Sequence, residues 1–142
     1  MTIHETESFA ERIARELPGR VYALSGELGA GKTAFSQFFL RALGASGMVT
    51  SPTFVVMKPY PLDPALSKGH ATAYHMDCYR LADERDAETI GFSRVVGDPA
   101  NIVIVEWPER IAGLIPPDAI WIDFSHGALE GERTIAVRPK IS

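Results

Sequence analysis

The sequence contains very little cysteine, with Cys78 the single one among 142 residues. One cysteine excludes an internal disulfide framework and any metal site built from several thiolates. Positive charge is also scarce, since 14 Lys and Arg residues stand against 18 Asp and Glu, for a net charge of −4. Such a chain lacks a basic footprint for a nucleic acid backbone, so we expect another protein to hold any RNA involved.

The sequence also lacks a long apolar run and a secretory signal. No stretch is apolar enough to span a membrane, and residues 2–6 are polar and acidic. We therefore expect no membrane association and a cytoplasmic location. The length suits one domain over residues 1–142, with little room for a lid or a substrate domain. We expect such a domain to act together with another protein.

One short segment carries the main chemical signal. Residues 26–33 read GELGAGKT and match the phosphate-binding pattern G-x-x-x-x-G-K-[ST] at every fixed position. An apolar run at residues 21–24 precedes it, and a helix-like segment at residues 34–43 follows. Glycines let the backbone wrap around an anion, so that its amides and the positive end of the following helix face the phosphates. Lys32 adds a positive charge. The Thr33 hydroxyl is placed to bind Mg²⁺, so the segment predicts binding of a nucleoside triphosphate.

Apolar periodicity and turn residues predict the other elements. The predicted helices are residues 6–17, 34–43 with Gly44 as its cap, 83–90 and 92–96. The predicted strands are residues 20–25, 54–57, 72–79 and 101–106, and a closing hairpin of 119–125 and 134–138. The prolines of residues 59–69 predict an exposed loop. Together these elements predict an α/β fold, a single P-loop NTPase domain with a mixed parallel and antiparallel sheet flanked by few helices.

A carboxylate follows the most apolar strand of the sequence. Residues 102–105 are four consecutive β-branched residues, which is typical of a strand buried on both faces, and Glu106 comes next. An acid at the carboxyl end of a strand beside the P-loop strand is where these proteins hold Mg²⁺. That acid is usually Asp, but the longer Glu side chain still permits coordination. The alternative is a strand that happens to end at a surface acid.

Strand alternation in residues 72–79 brings polar groups together. His75, Asp77 and Tyr79 share one face, which makes His75 and Asp77 site candidates; a structural, hydrogen-bonded histidine is the alternative. Cys78 falls on the other face, where we expect inert packing. Thr53 lies in a loop after the first P-loop helix, the position of a γ-phosphate-sensing switch, although its segment could be a simple turn.

Four segments together resemble the TsaE (YjeE) family of bacterial P-loop ATPases, which act in making threonylcarbamoyladenosine on tRNA. The segments are residues 26–33, residues 51–54 (SPTF), residues 75–81 (HMDCYRL) and residues 106–109 (EWPE). The similarity runs nearly from end to end.

The resemblance implies roles for individual residues. The catalytic residues would be Asp77, the acid required for hydrolysis, Lys32 and the switch residue Thr53. The nucleotide-binding residues would be Gly26, Gly29, Ala30, Gly31, Lys32, Thr33, Ala34 and, near the nucleotide, Arg133. The metal ligands would be Thr33 and Glu106, with ATP and Mg²⁺ bound.

The resemblance also implies partners. These would be TsaD and TsaB, and ATP turnover would reset their complex between rounds of tRNA modification. The carbamoyl transfer itself would occur on the partner, so tRNA would be contacted only through the complex.

Three other functions remain open from the residues alone. A small-molecule kinase would need a lid and an acceptor insertion, for which the chain is short. A GTPase would carry the guanine-reading Asn-Lys-x-Asp and an Asp-x-x-Gly, which the sequence lacks. A nucleotide-dependent binding module that hydrolyses little would use the same residues as an ATPase.

Overall fold

The computed structural model describes residues 2–26, 31–46, 57–126 and 133–138. Its helices are α1 (Ile3–Glu16), α2 (Lys32–Ala42), α3 (Glu84–Thr89), α4 (Phe92–Gly97) and a 3₁₀ helix (Pro108–Leu114). Its strands are β1 (Val21–Gly26), β2 (Met57–Pro61), β3 (Thr72–Asp77), β4 (Asn101–Glu106), β5 (Ile120–His126) and β6 (Arg133–Arg138). In these ranges, each helix is too short or too polar to cross a membrane.

The strands of the described chain form one six-stranded sheet in the order β2-β3-β4-β1-β5-β6. The four inner strands, β3, β4, β1 and β5, run parallel to one another. The edge strands β2 and β6 are antiparallel to their neighbours. This confirms the predicted α/β fold with a mixed sheet, including the closing hairpin of β5 and β6.

Helices cover both faces of the sheet. Tyr22, Leu24 and Ile104 belong to the apolar layer that packs against α1 and α2. Val103 and Val105 belong to the opposite layer, beneath α3, α4 and the 3₁₀ helix. Every residue of β4 is therefore buried, as its run of β-branched side chains predicts.

The first helix begins earlier than the predicted Thr6. Thr2 accepts a hydrogen bond from the Glu5 amide through its side chain, and the Glu5 carboxylate accepts one from the Thr2 amide. This capping box satisfies two amides that a helix start leaves without partners, so α1 begins at Ile3. The sequence shows no apolar period in the polar residues 2–6, and the capping box is what stabilises the helix start there.

The predicted loop at residues 59–69 is wrong at its start, because Pro59 and Pro61 lie within β2. Pro59 is opposite Tyr74 and Pro61 is opposite Thr72 on β3. Proline lacks an amide hydrogen, but an edge strand has one side without a partner strand, so proline is tolerated there. Residues 54–56 of the strand predicted over 54–57 lie outside the described residues.

Candidate functional site

Three inner strands end at the same edge of the sheet. Gly26 ends β1, Asp77 ends β3 and Glu106 ends β4. In the parallel register Asp77 is opposite Glu106, and Glu106 is opposite Leu24, two residues before Gly26. The carboxyl edge of parallel strands is where α/β proteins bind their ligands. The two acids and the glycine-rich segment are therefore neighbours in space.

The glycine-rich segment joins this edge to α2. Gly26 has φ +131° and Gly31 has φ +105°, conformations that side-chain-bearing residues rarely adopt. Gly31 directly precedes Lys32, the first residue of α2, so the amides of the helix start lie at the end of this segment. Helix starts of this kind bind anions. Gly29 and Ala30 lie outside the described residues, and their roles stay predictions.

The Lys32 ammonium group lies within the site. Its Nζ donates to the backbone oxygen of Gly26 at 2.9 Å and lies 4.0 Å from the ring centroid of Trp107. Burial lowers the pKa of Lys32, while the nearby charges of Glu106, Glu109 and Asp77 oppose that change. The structure thus places a buried cation beside both acids at the sheet edge.

The Asp77 carboxylate is oriented by the chain that follows it. The Tyr79 amide donates to Asp77 Oδ1 at 2.9 Å. Burial, followed by the proximity of Glu106, raises the pKa of Asp77, although the Tyr79 amide lowers it. A carboxylate with a raised pKa accepts a proton more readily than an ordinary aspartate.

The Glu106 side chain is 4% exposed and pairs with His75, which is 1% exposed. The distance from His75 Nε2 to Glu106 Oε2 is 2.6 Å. The sequence indicates that His75 and Asp77 share a face, but not that His75 reaches the acid of the next strand. His75 and Glu106 are 31 residues apart in the sequence, so no local pattern predicts their contact.

Tyr79 does not belong to β3, contrary to its predicted place in a strand over residues 72–79. β3 ends at Asp77, and a turn follows in which the Leu81 amide donates to the Cys78 carbonyl. Tyr79 is about half exposed and packs its ring against Trp107, with centroids 5.1 Å apart. Trp107 itself has φ +58°, a strained conformation for a large residue, which the sequence does not indicate.

Cys78 is fully buried in the layer opposite Asp77, as strand alternation predicts. Burial, together with the negative charge of Asp77 and Glu109, raises the pKa of its thiol to about 12. A thiol of this kind is a poor nucleophile.

The remaining predicted site residues are distributed as follows. Thr33 and Ala34 lie in the first turn of α2. Arg133 begins β6 opposite His126, beyond the Phe124 that pairs with Gly26. Thr53 lies outside the described residues, so its switch role stays a prediction.

The residues at this edge fit a Mg²⁺ ion that is bound together with a nucleotide. Within the described ranges, no cluster of three His, Cys, Asp or Glu side chains could hold a metal ion. Magnesium in nucleotide sites needs one or two protein oxygens, with phosphates and waters as the other ligands. A buried carboxylate at Glu106 and a hydroxyl at Thr33, in the first turn of α2, are oxygen donors of this type.

These features define a class: an α/β protein whose glycine-rich strand-to-helix segment meets two acids at the carboxyl edge of a mixed sheet. A family model described as "Threonylcarbamoyl adenosine biosynthesis protein TsaE" matches residues 1–135. The chain belongs to the TsaE family.

Individual relatives agree with this assignment. The chain is 36% identical to the tRNA threonylcarbamoyladenosine biosynthesis protein TsaE of Bacillus subtilis over 83% of this chain and 70% of that protein. It is 37% identical to the protein of the same name from Treponema pallidum over 84% of this chain and 82% of that protein. The crystal structure of Bacillus subtilis YdiB superposes with a TM-score of 0.73, at 30% identity, over 95% of this chain and 78% of that one.

Proposed function

We propose that this protein binds ATP with Mg²⁺ and hydrolyses it in support of threonylcarbamoyladenosine formation on tRNA. The observation that carries the proposal is the meeting of Lys32, Asp77 and Glu106 at the sheet edge where α2 begins. Membership of the TsaE family supports the link to tRNA modification. ATP, rather than GTP, is proposed because the guanine-reading motif is missing from the sequence.

The chain's own groups supply positioning and charge, which is most of what phosphoryl transfer requires of a protein. Amides at the start of α2 and the Lys32 ammonium group bind the phosphates. Asp77 orients or deprotonates the attacking water, helped by its raised pKa and by the Tyr79 amide that fixes its carboxylate. When bound, Mg²⁺ supplies neutralisation of the charge on the phosphates.

The proposal extends to partners and location. TsaD and TsaB homologues are the proposed partners, and they would hold the tRNA, because this chain has a net charge of −4. The complex would act in the cytoplasm. Arg133 and Thr53 are proposed to contact the nucleotide and to sense its γ-phosphate, respectively.

The test separates binding from hydrolysis with Asp77→Ala. We expect ATP affinity to stay within about threefold of the unaltered protein and hydrolysis to fall by at least about 10²-fold, the usual contribution of a positioned acid or base. The matched control is Asp118→Ala, because Asp118 is exposed and lies just before β5, at the end of the parallel strands opposite the site acids. Both measurements should be unchanged in that control.

Each other outcome identifies a different function. Loss of ATP affinity in Asp77→Ala would make Asp77 structural. ATP binding without turnover in the unaltered protein, alone and with partners, would instead support a nucleotide-dependent binding module. Transfer of the γ-phosphate to a small acceptor would support a kinase.

A further inference from the structure

His75 and Glu106 form a buried polar pair, in which the proposed function gives a role to Glu106 but none to His75. In the parallel register His75 is opposite Ile104, and Asp77 is opposite Glu106. The side chains of these four residues therefore point to the same face. The imidazole of His75 reaches along the strand direction to the acid of the neighbouring strand, leaving Asp77 beyond it at the strand end.

The hydrogen-bonding pattern determines the tautomer of His75. An ionised carboxylate can only accept, so Nε2 carries the hydrogen in the 2.6 Å contact with Glu106. Within the described part of the chain, the buried Nδ1 has no hydrogen-bond partner. A hydrogen on Nδ1 would be a buried donor without an acceptor in that part of the chain, so the contact with Glu106 places the hydrogen on Nε2.

We propose that His75 is a positioning residue that holds the Glu106 carboxylate in the orientation needed to bind Mg²⁺ with the nucleotide. The inference rests on the proposed function and adds to it a residue that touches neither the nucleotide nor the water. Donation from Nε2 holds Oε2, and with it the carboxylate plane, and it stabilises the buried charge of Glu106. His75 is not the water-activating base here, because its Nε2 is committed to Glu106 and its Nδ1 is buried.

The first test measures the binding of Mg²⁺ and of Mn²⁺ in the presence of ADP, by calorimetry and by electron paramagnetic resonance. The variants are His75→Leu, which removes the donor, and His75→Gln, whose amide can replace Nε2–H. The folding control is Met76→Leu, a buried change on the opposite face of β3.

We expect His75→Leu to weaken metal binding by about 10-fold or more, the usual effect of losing a group that orients a ligand. ADP affinity in EDTA should remain the same, and His75→Gln should recover most of the metal affinity. Equal metal binding in His75→Leu and Met76→Leu would overturn the inference. Failure of the unaltered protein to bind ADP with metal would instead overturn the proposed function itself.

The second test needs no metal or nucleotide. Long-range ¹H–¹⁵N spectra of the free protein report which ring nitrogen carries the hydrogen. We expect a hydrogen on Nε2 of His75, and a ring without a hydrogen on Nε2 would overturn the inference. Because these spectra use the unaltered chain, that outcome can be observed even if His75→Leu fails to fold.

Discussion

Gly26 is the residue at which backbone geometry restricts the site most severely. Its φ is +131°, and a Cβ built there would lie 1.9 Å from the carbonyl oxygen of Phe124 on the neighbouring strand. Gly69 also has a positive φ, +87°, but a Cβ there meets nothing within 4 Å. Substitutions at these two glycines therefore distinguish the effect of backbone strain from the effect of close packing.

We expect Gly26→Ala to lower the free energy of unfolding by about 2–4 kcal/mol, because strain adds to a collision with backbone that cannot move away. Gly69→Ala should cost about 1 kcal/mol, the strain alone. Urea unfolding of both variants measures the difference. Similar losses in the two would show that β5 shifts to accommodate a methyl group at Gly26.

Among the elements, β1, β5 and β6 are joined by one carboxylate in addition to the pairing of their strands. Arg138 donates to Asp123 from Nε at 2.6 Å and from Nη2 at 3.0 Å, and the Ser25 hydroxyl also donates to Asp123. Ser25 precedes Gly26 on β1. The contact thus joins the edge strand β6 to the strand that enters the glycine-rich segment.

This link makes a pH-dependent contribution to stability. The Arg138 hydrogen bonds, and then the Ser25 hydroxyl, hold the pKa of Asp123 below its ordinary value. A lowered pKa in the folded state stabilises the fold above the ordinary aspartate pKa, and this stabilisation is lost as the pH falls through the folded pKa.

We expect Arg138→Met to reduce the unfolding free energy at about pH 7 by about 0.5 kcal/mol, since the arginine is largely exposed and solvent screens the pair. The loss should shrink as the pH falls below the ordinary aspartate pKa and through the lowered folded pKa of Asp123, because the carboxyl then becomes protonated in both proteins. Urea unfolding across this range measures it. The control is Arg85→Met, which breaks a more exposed pair with Asp83; an equal loss there would mean that the strand link adds nothing.

At the scale of the whole molecule, the proposed site lies at one edge of the sheet with no second domain in the described ranges to close over it. No arginine can be assigned from the sequence as one that reaches the γ-phosphate. In NTPases that receive such an arginine from a partner, it raises turnover by about 10³–10⁵-fold.

We therefore expect slow ATP turnover by the isolated chain and faster turnover with TsaD and TsaB homologues, approaching about 10³-fold if one of them supplies an arginine. Steady-state phosphate release with and without the partners measures this. The control uses Asp77→Ala with the partners, which should stay slow because the added stimulation acts on the same site. Equal rates with and without partners would contradict the prediction.

Local signals in the sequence were sufficient for much of this architecture. The β-branched residues of β4 predicted a strand buried on both faces, and the structure has β4 at Asn101–Glu106 beside β1. The glycine-rich pattern predicted a strand and a helix on either side of it, and β1 and α2 are there. These predictions succeed because side-chain size, backbone freedom and hydrophobic period act over a few residues.

The tertiary structure decided the features that depend on residues far apart in the sequence. Pro59 and Pro61 can lie in a strand because β2 became an edge strand, which only the strand order establishes. His75 meets Glu106 because of the β3–β4 register, and Trp107 packs on Lys32 and Tyr79 because the chain turns sharply after β4. The sequence by itself thus determined the chemical groups of the candidate site and the strands that carry them. Their contacts with one another follow from the packing of segments far apart in the chain, for which no local pattern exists.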